Sequence, residues 1–168
     1  MNIILIGFMG SGKSTVGKAL ASKLQWSFVD SDAWIEAQVG ASVSRIFESE
    51  GESVFRTWEQ RFVHQLENTT GIIACGGGLP CFNDLMTELK QKGIVVYLKA
   101  SVETLVGRLK SEREDRPLLG LVSDAEFAQE ITTRLESREP VYLQADLTVE
   151  TDGKTTGEIV DELVALIL

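Results

Sequence analysis

The sequence predicts an α/β fold: a three-layer α/β/α sandwich on a five-stranded parallel sheet. Three observations lead there. Short apolar runs alternate with helix-length segments carrying apolar residues at helical spacing, as in successive βα units. The first strand-like run is apolar and rich in isoleucine, as expected for a parallel strand covered on both faces. The three least ordinary segments each follow a strand, where open α/β sheets gather their ligands.

Residues 2–6 (NIILI) form the first strand. A glycine-rich turn follows, and residues 13–24 read as a helix with Val16, Leu20 and Leu24 on one stripe. Residues 27–29 are the second strand, ending at Asp30-Ser31-Asp32. Helices are expected over 33–39 and 43–50, separated by Gly40, and over 52–67. Residues 72–75 are the third strand, closed by Gly76-Gly77-Gly78, with a helix over 82–92. Residues 94–98 (IVVYL) are the fourth strand, and 102–110 a helix.

Between residues 111 and 123 the pattern breaks into a charged stretch with Arg113, Arg116, Pro117 and Gly120, a loop of a length usually reserved for function. Residues 124–137 return to helix, 147–149 form the fifth strand and 156–167 the closing helix. No linker or repeat divides the chain, so residues 1–168 read as one domain.

Composition narrows the function. The net charge is −9 with a pI near 4.7, which repels a polyanion and argues against nucleic acid as a partner. A small anion needs only a local cluster of arginines and backbone amides. Cys75 and Cys81 are too few for a disulfide framework and lack metal-site spacing, so reduced thiols in a cytoplasmic protein are expected. The opening MNIILIG has no basic segment and is interrupted by Gly7, which suits a strand better than a signal peptide. No stretch approaches the roughly 20 apolar residues of a membrane span.

The chemistry begins at Gly7-Phe8-Met9-Gly10-Ser11-Gly12-Lys13-Ser14-Thr15, which fits G-x-x-x-x-G-K-[ST] between a strand and a helix. Glycines let successive backbone N–H groups turn inward onto phosphate oxygens. Lys13 supplies a point charge for the β- and γ-phosphates, Ser14 a hydroxyl for Mg²⁺, and the helix start a positive dipole end. The segment therefore binds a nucleoside triphosphate with Mg²⁺, and the acceptor is expected to be a small hydroxylated acid.

Asp30 and Asp32 sit one unit further on. One carboxylate can hold Mg²⁺ directly or through water, while the other accepts a proton from an attacking hydroxyl or orients it. The same pattern also serves as an Asx turn capping the next helix. Gly76-Gly77-Gly78 lets backbone approach a ligand closely. Arg56, Arg116 and Arg138 could neutralise a transferring phosphoryl group or grip a carboxylate, but spacing alone does not assign them. His64, Trp26 and Trp34 are read as non-catalytic, and Glu126, Glu130 and Glu136 as solvated helix charges.

Taken in order, the P-loop, Asp30-Ser31-Asp32, Phe55-Arg56 with Glu59, Gly76-Gly77-Gly78, Arg116-Pro117-Leu118-Leu119 and Arg138…Tyr142…Ala145-Asp146 resemble the shikimate kinases across essentially the whole chain. The resemblance implies a P-loop NTPase fold of the nucleoside monophosphate kinase-like architecture, with a substrate-binding helical segment near 32–62 and a lid near 111–123. It implies transfer of the γ-phosphate of ATP to the 3-hydroxyl of shikimate.

It also implies residue roles. Gly10, Ser11, Gly12, Lys13, Ser14 and Thr15 would hold ATP, with Ser14 and Asp30 on Mg²⁺. Asp32 would bind the shikimate hydroxyls and act as base or orienter. Arg56 and Arg138 would clamp the carboxylate, Gly77 and Gly78 would offer backbone contacts, and Arg116 would close over the phosphates. Arg108 would stack on adenine. A monomer is expected in that cytoplasmic setting. Two departures stand out: Leu79-Pro80-Cys81 where small residues are usual, and the bulky Trp58 near Arg56. The rivals are another small-molecule P-loop kinase, such as a gluconate kinase, and a non-catalytic nucleotide-binding regulatory protein. The glycine triplet and Phe55-Arg56 argue against the first, and Lys13, Asp32 and Arg116 together against the second.

Overall fold

A strand with large apolar residues on both faces needs cover on both, and the computed structural model, which describes residues 1–66, 70–113 and 123–168, supplies it. In β1 (Asn2–Ile6), Ile3 and Leu5 join one core and Ile4 and Ile6 the other. The first core is closed by α1 (Lys13–Leu24) through Val16 and Leu20, and by α8 (Thr156–Ile167) through Ile159 and Leu163. The second is closed by α4 (Glu52–Gln65), α5 (Leu85–Lys92), α6 (Val102–Arg113) and α7 (Asp124–Tyr142), through Phe62, Leu85, Leu105 and Ile131 among others. Period two in the strand and period 3.6 in the helices thus assemble three layers.

The sheet is parallel, in the order β2-β3-β1-β4-β5, where β2 is Phe28–Asp30, β3 Gly71–Ala74, β4 Gly93–Lys99 and β5 Leu147–Glu150. Ile3 pairs with Ile72 on one side and with Ile94 on the other. The chain starts in the centre and runs outward in both directions, so the turn after β1 lies at the switch point where α/β sheets open a crevice. Three shorter-range elements, α2 (Ser31–Val39), α3 (Val43–Glu50) and the start of α4, share a satellite core of Ile35, Ile46 and Phe55. Among the described residues no helix is long and apolar enough to cross a membrane.

Most expected elements appear, with shifted ends. The predicted helix over 82–92 starts late. Leu79–Cys81 forms a 3₁₀ turn containing Pro80, and Asn83 and Asp84 take positive φ of 53° and 56° before α5 begins. Asn and Asp tolerate that left-handed conformation better than most residues. The predicted end at 137 is wrong for the opposite reason: α7 continues through Pro140 to Tyr142. Proline removes one helix hydrogen bond, but Leu143 N–H still reaches Glu139 O, and the Tyr142 hydroxyl donates to Gly77 O. Likewise α6 runs to Arg113, so the irregular stretch starts later than residue 111. Glu126 is not a plain solvated charge, because it completes a capping box with Ser123 at the start of α7.

Candidate active site

The turn after β1 is built to hold anions. Gly12 precedes α1 with φ of 94° and leaves the first helical amides without any side-chain cap. The Ser11 hydroxyl is buried with no hydrogen-bond partner, so it too is left for a ligand. Lys13, 9% exposed, donates from Nζ to Gly7 O and Phe8 O, both at 2.9 Å. Burial pushes its ammonium down to about 8, against the opposing pull chiefly of the Asp32 carboxylate. A cavity of about 450 Å³ opens over this turn, lined by Gly10 to Val16, Arg108 and Lys154. Arg108 is fixed there by a 3.1 Å bond from Nη1 to Gly10 O.

Asp30 forms the helix cap read from the sequence and also engages Ser14. Its Oδ1 caps α2 by accepting from Asp32 N and Ala33 N, and its Oδ2 accepts from Ser14 Oγ at 2.6 Å. A hydroxyl and a carboxylate oxygen this close are hard donors that fit Mg²⁺, which draws its remaining ligands from water and phosphate. Among the described residues no cluster of three or more His, Cys, Asp or Glu forms a cage for a metal.

Beside the P-loop lies a second cavity of about 390 Å³, lined by Asp32, Arg56, Glu59, the glycine triplet and Arg138 among others. Met9 of the P-loop also lines it, and Asp32 and Arg138 lie near enough to Lys13 to shift its charge equilibrium. Asp32 points Oδ1 into buried space with no hydrogen-bond partner. Burial, reinforced by the Asp30 charge, holds its carboxyl above the usual range, with Lys13 opposing. Ser31 between the two aspartates accepts from Gly76 N–H at 2.8 Å, tying the acidic triplet to the glycine triplet.

Arg56 is the most constrained cation in this cavity. Its guanidinium stacks 3.8 Å from the Phe82 ring centroid, and Nη1 donates to Glu59 Oε2 at 2.7 Å. Gly78 backbone runs against it so closely that a Cβ there would lie 2.7 Å from Nη1. Glu59 is 1% exposed, and burial pushes its carboxyl up to about 7 despite the Arg56 hydrogen bond and charge. Arg138 packs over Phe8, 5.7 Å from the ring centroid.

Of the residues singled out from sequence, Asp32, Arg56, Gly77, Gly78 and Arg138 meet in one cavity, and Gly10, Ser11, Gly12, Lys13, Ser14 and Thr15 in the other. Arg116 lies outside the described residues. Sequence reading gave no role to Glu52, Glu59, Phe82 or Arg134. The first two were legible, because they stand four before and three after Arg56 on one helix, the spacing of helical ion pairs. Phe82 carried no signal. His64 faces Glu88 on the surface and Trp34 packs on Phe62, in keeping with non-catalytic roles.

A P-loop cavity adjoining a cleft of arginines and a buried carboxylate narrows the relatives, and comparison with known proteins decides between them. The family model for shikimate kinase matches residues 9–168. The chain belongs to the shikimate kinase family. A shikimate kinase of Persephonella marina is 41% identical over 99% of this chain and 98% of that protein. The crystal structure of the Bacteroides thetaiotaomicron shikimate kinase superposes with a TM-score of 0.91 at 34% identity, covering 99% of this chain and 98% of that one. That of the Acinetobacter baumannii shikimate kinase in complex with shikimate gives 0.88 at 38%, covering 99% and 92%. The protein is therefore a kinase with the P-loop fold, and the gluconate kinase and regulatory readings are not favoured.

Proposed function

We propose that the enzyme moves the γ-phosphate of ATP onto the 3-hydroxyl of shikimate, giving shikimate 3-phosphate. One observation carries the assignment: a phosphate-binding turn and a cavity with a buried carboxylate and paired guanidiniums lie side by side at the carboxyl edge of the sheet. The Acinetobacter baumannii relative, whose structure holds shikimate, supports it.

In this reading the P-loop amides, Ser11 and Lys13 hold the triphosphate. Arg56 and Arg138 take the substrate carboxylate, whose planar pair of oxygens matches a guanidinium fork. Asp32, which lines the cavity with one oxygen unpartnered and its carboxyl raised by burial, orients the 3-hydroxyl or takes its proton. Gly77 and Gly78 let the ring approach backbone. Ser14 and Asp30 hold Mg²⁺, which supplies charge neutralisation at the phosphates when bound. Lys13, and Arg116 from the lid near 111–123, neutralise the charge spreading over the transferring group, while Arg108 offers its plane to adenine. The segment 32–62, with its own small core, serves as the substrate-binding unit of this single domain. The setting we infer is a cytoplasmic monomer with no nucleic-acid or membrane partner.

A coupled ADP-release assay with shikimate and gluconate tests the assignment. Turnover with shikimate alone is expected. Turnover with gluconate, or nucleotide binding without turnover, contradicts it. Arg116→Ala is expected to lower kcat by about two to three orders of magnitude with little change in Tm. A near-normal kcat removes Arg116 from the mechanism.

A further inference from the structure

Arg56 already carries a carboxylate on one edge of its guanidinium. Of its five N–H donors, one on Nη1 goes to Glu59. Nε and Nη2 both reach for a single oxygen, Oε1 of Glu52, at 3.3 and 3.1 Å. The two carboxylates differ in kind. Glu59 is buried, and pulling it away would strand a charge. Glu52 is the first residue of α4, 56% exposed, and offers one oxygen at long range where strong arginine–carboxylate pairs use two. With its acid end open to water and only one oxygen engaged, this i,i+4 pair is weaker than the buried pair to Glu59 and can exchange with water.

The guanidinium itself has little room to move. Phe82 lies against its face, Gly78 against its terminal nitrogens, and Glu59 holds Nη1. What can change is the occupant of the Nε–Nη2 edge. The charges around the cavity point the same way. Asp32, Glu52 and Glu59 line it with Arg56, Arg134 and Arg138, and burial disfavours the charged form of Asp32 and Glu59. Glu52 is the acid there with open water beside it, free to make way for a substrate carboxylate.

We propose that Glu52 is a displaceable stand-in for the substrate carboxylate on Arg56. In the free enzyme it keeps the Nε–Nη2 edge paired. A planar carboxylate evicts it by bringing two oxygens to the same edge, and Glu52 turns into solvent. Binding is then an exchange of carboxylates, and Glu52 acts as a specificity filter: a ligand that cannot span both nitrogens does not displace it. The inference rests on Arg56 as the carboxylate clamp described under the proposed function.

The test is calorimetric titration of shikimate, and of its analogue with hydroxymethyl in place of the carboxylate, into wild-type, E52A, E50Q and R56A enzymes. Glu50, at the end of α3, is exposed and removes the same charge nearby without touching Arg56. E52A is expected to bind shikimate about two- to tenfold tighter, the gain from emptying a weakly occupied site, and to bind the neutral analogue no better. E50Q is expected to stay near wild type. If E52A binds shikimate equally or more weakly, Glu52 is a fixed support and the inference falls, while loss of binding in R56A still upholds the clamp. If E50Q or the neutral analogue shows the same gain, the effect is a general field and the inference also falls. Wild-type affinity in R56A removes the clamp and the inference together. Should E52A not fold, E52Q carries the same comparison.

Discussion

Replacing Gly78 by Ala puts one methyl group where the site has no room. Gly78 has φ of −85° and ψ of −19°, a conformation open to alanine, so the backbone is not strained. A Cβ would lie 2.7 Å from Arg56 Nη1, 2.8 Å from Nη2 and 3.1 Å from Cζ, against 3.4 Å for an ordinary contact. A free arginine would give way cheaply. This one is stacked on Phe82, held at 2.7 Å by buried Glu59 and tethered by Glu52, so a retreat of several tenths of an ångström breaks existing contacts. Misplacing one charge-assisted grip on the substrate carboxylate costs about 1.5–3 kcal/mol, which raises KM for shikimate about 10- to 100-fold. Stability falls as well: disturbing the buried Arg56–Glu59 pair outweighs the about 0.4–1 kcal/mol that alanine gains by restricting the unfolded chain, so Tm drops. Steady-state kinetics and a thermal melt read both quantities. A KM for shikimate within twofold of wild type, with the fold intact, refutes the reasoning.

Further outcomes follow from the same geometry. Lys13→Met is expected to lower kcat by about 10²- to 10³-fold. In the wild type, kcat/KM for ATP should decline above about pH 8 as the Lys13 ammonium of the free enzyme loses its proton, which a pH–rate profile reads directly. Asp30→Asn keeps an oxygen to cap α2 but weakens the Ser14–Asp30 donor pair. It should raise the Mg²⁺ concentration for half-maximal rate about 10- to 100-fold with little change in Tm. Glu59 binds its proton more tightly in the fold, at about 7, than at its ordinary 4.5. The native state therefore holds more protons than the unfolded state between those values, and Glu59 makes stability fall as pH rises through that window. Melts of Glu59→Gln against wild type should show the wild type losing more Tm from pH 4.5 to 7. Parallel curves would contradict the burial argument.

The sequence was most legible where local and global rules agree. β1 and its P-loop are written in consecutive residues, because a buried parallel strand needs Ile-Ile-Leu-Ile and a phosphate turn needs its glycines and Lys13. The capped starts of α3, α7 and α8 are signalled by Ser42, Ser123 and Thr155. Less legible were the places where tertiary contacts override a local cue. Pro140 reads as a helix end, yet α7 passes through it because Tyr142 is anchored on Gly77. Residues 82–84 read as helix, yet two left-handed residues turn the chain first.

The site divides similarly. Asp30, Asp32 and the glycine triplet announce themselves by residue type, and the structure gives one Asp30 oxygen to the α2 cap and the other to the Ser14 hydroxyl. The caging of Arg56 is legible only in part. Its acidic partners lie on its own helix, at spacings that could equally mark ordinary surface pairs. Phe82 comes from a distant segment, and only the fold brings it beneath the guanidinium.

The most direct measurement is a crystal structure of the enzyme with shikimate, ADP and Mg²⁺. The account predicts the shikimate carboxylate between the Arg56 and Arg138 guanidiniums, its 3-hydroxyl within hydrogen-bond distance of Asp32 and facing the β-phosphate held by the P-loop. A shikimate molecule bound with its carboxylate away from both arginines, or its 3-hydroxyl out of reach of Asp32, would contradict it.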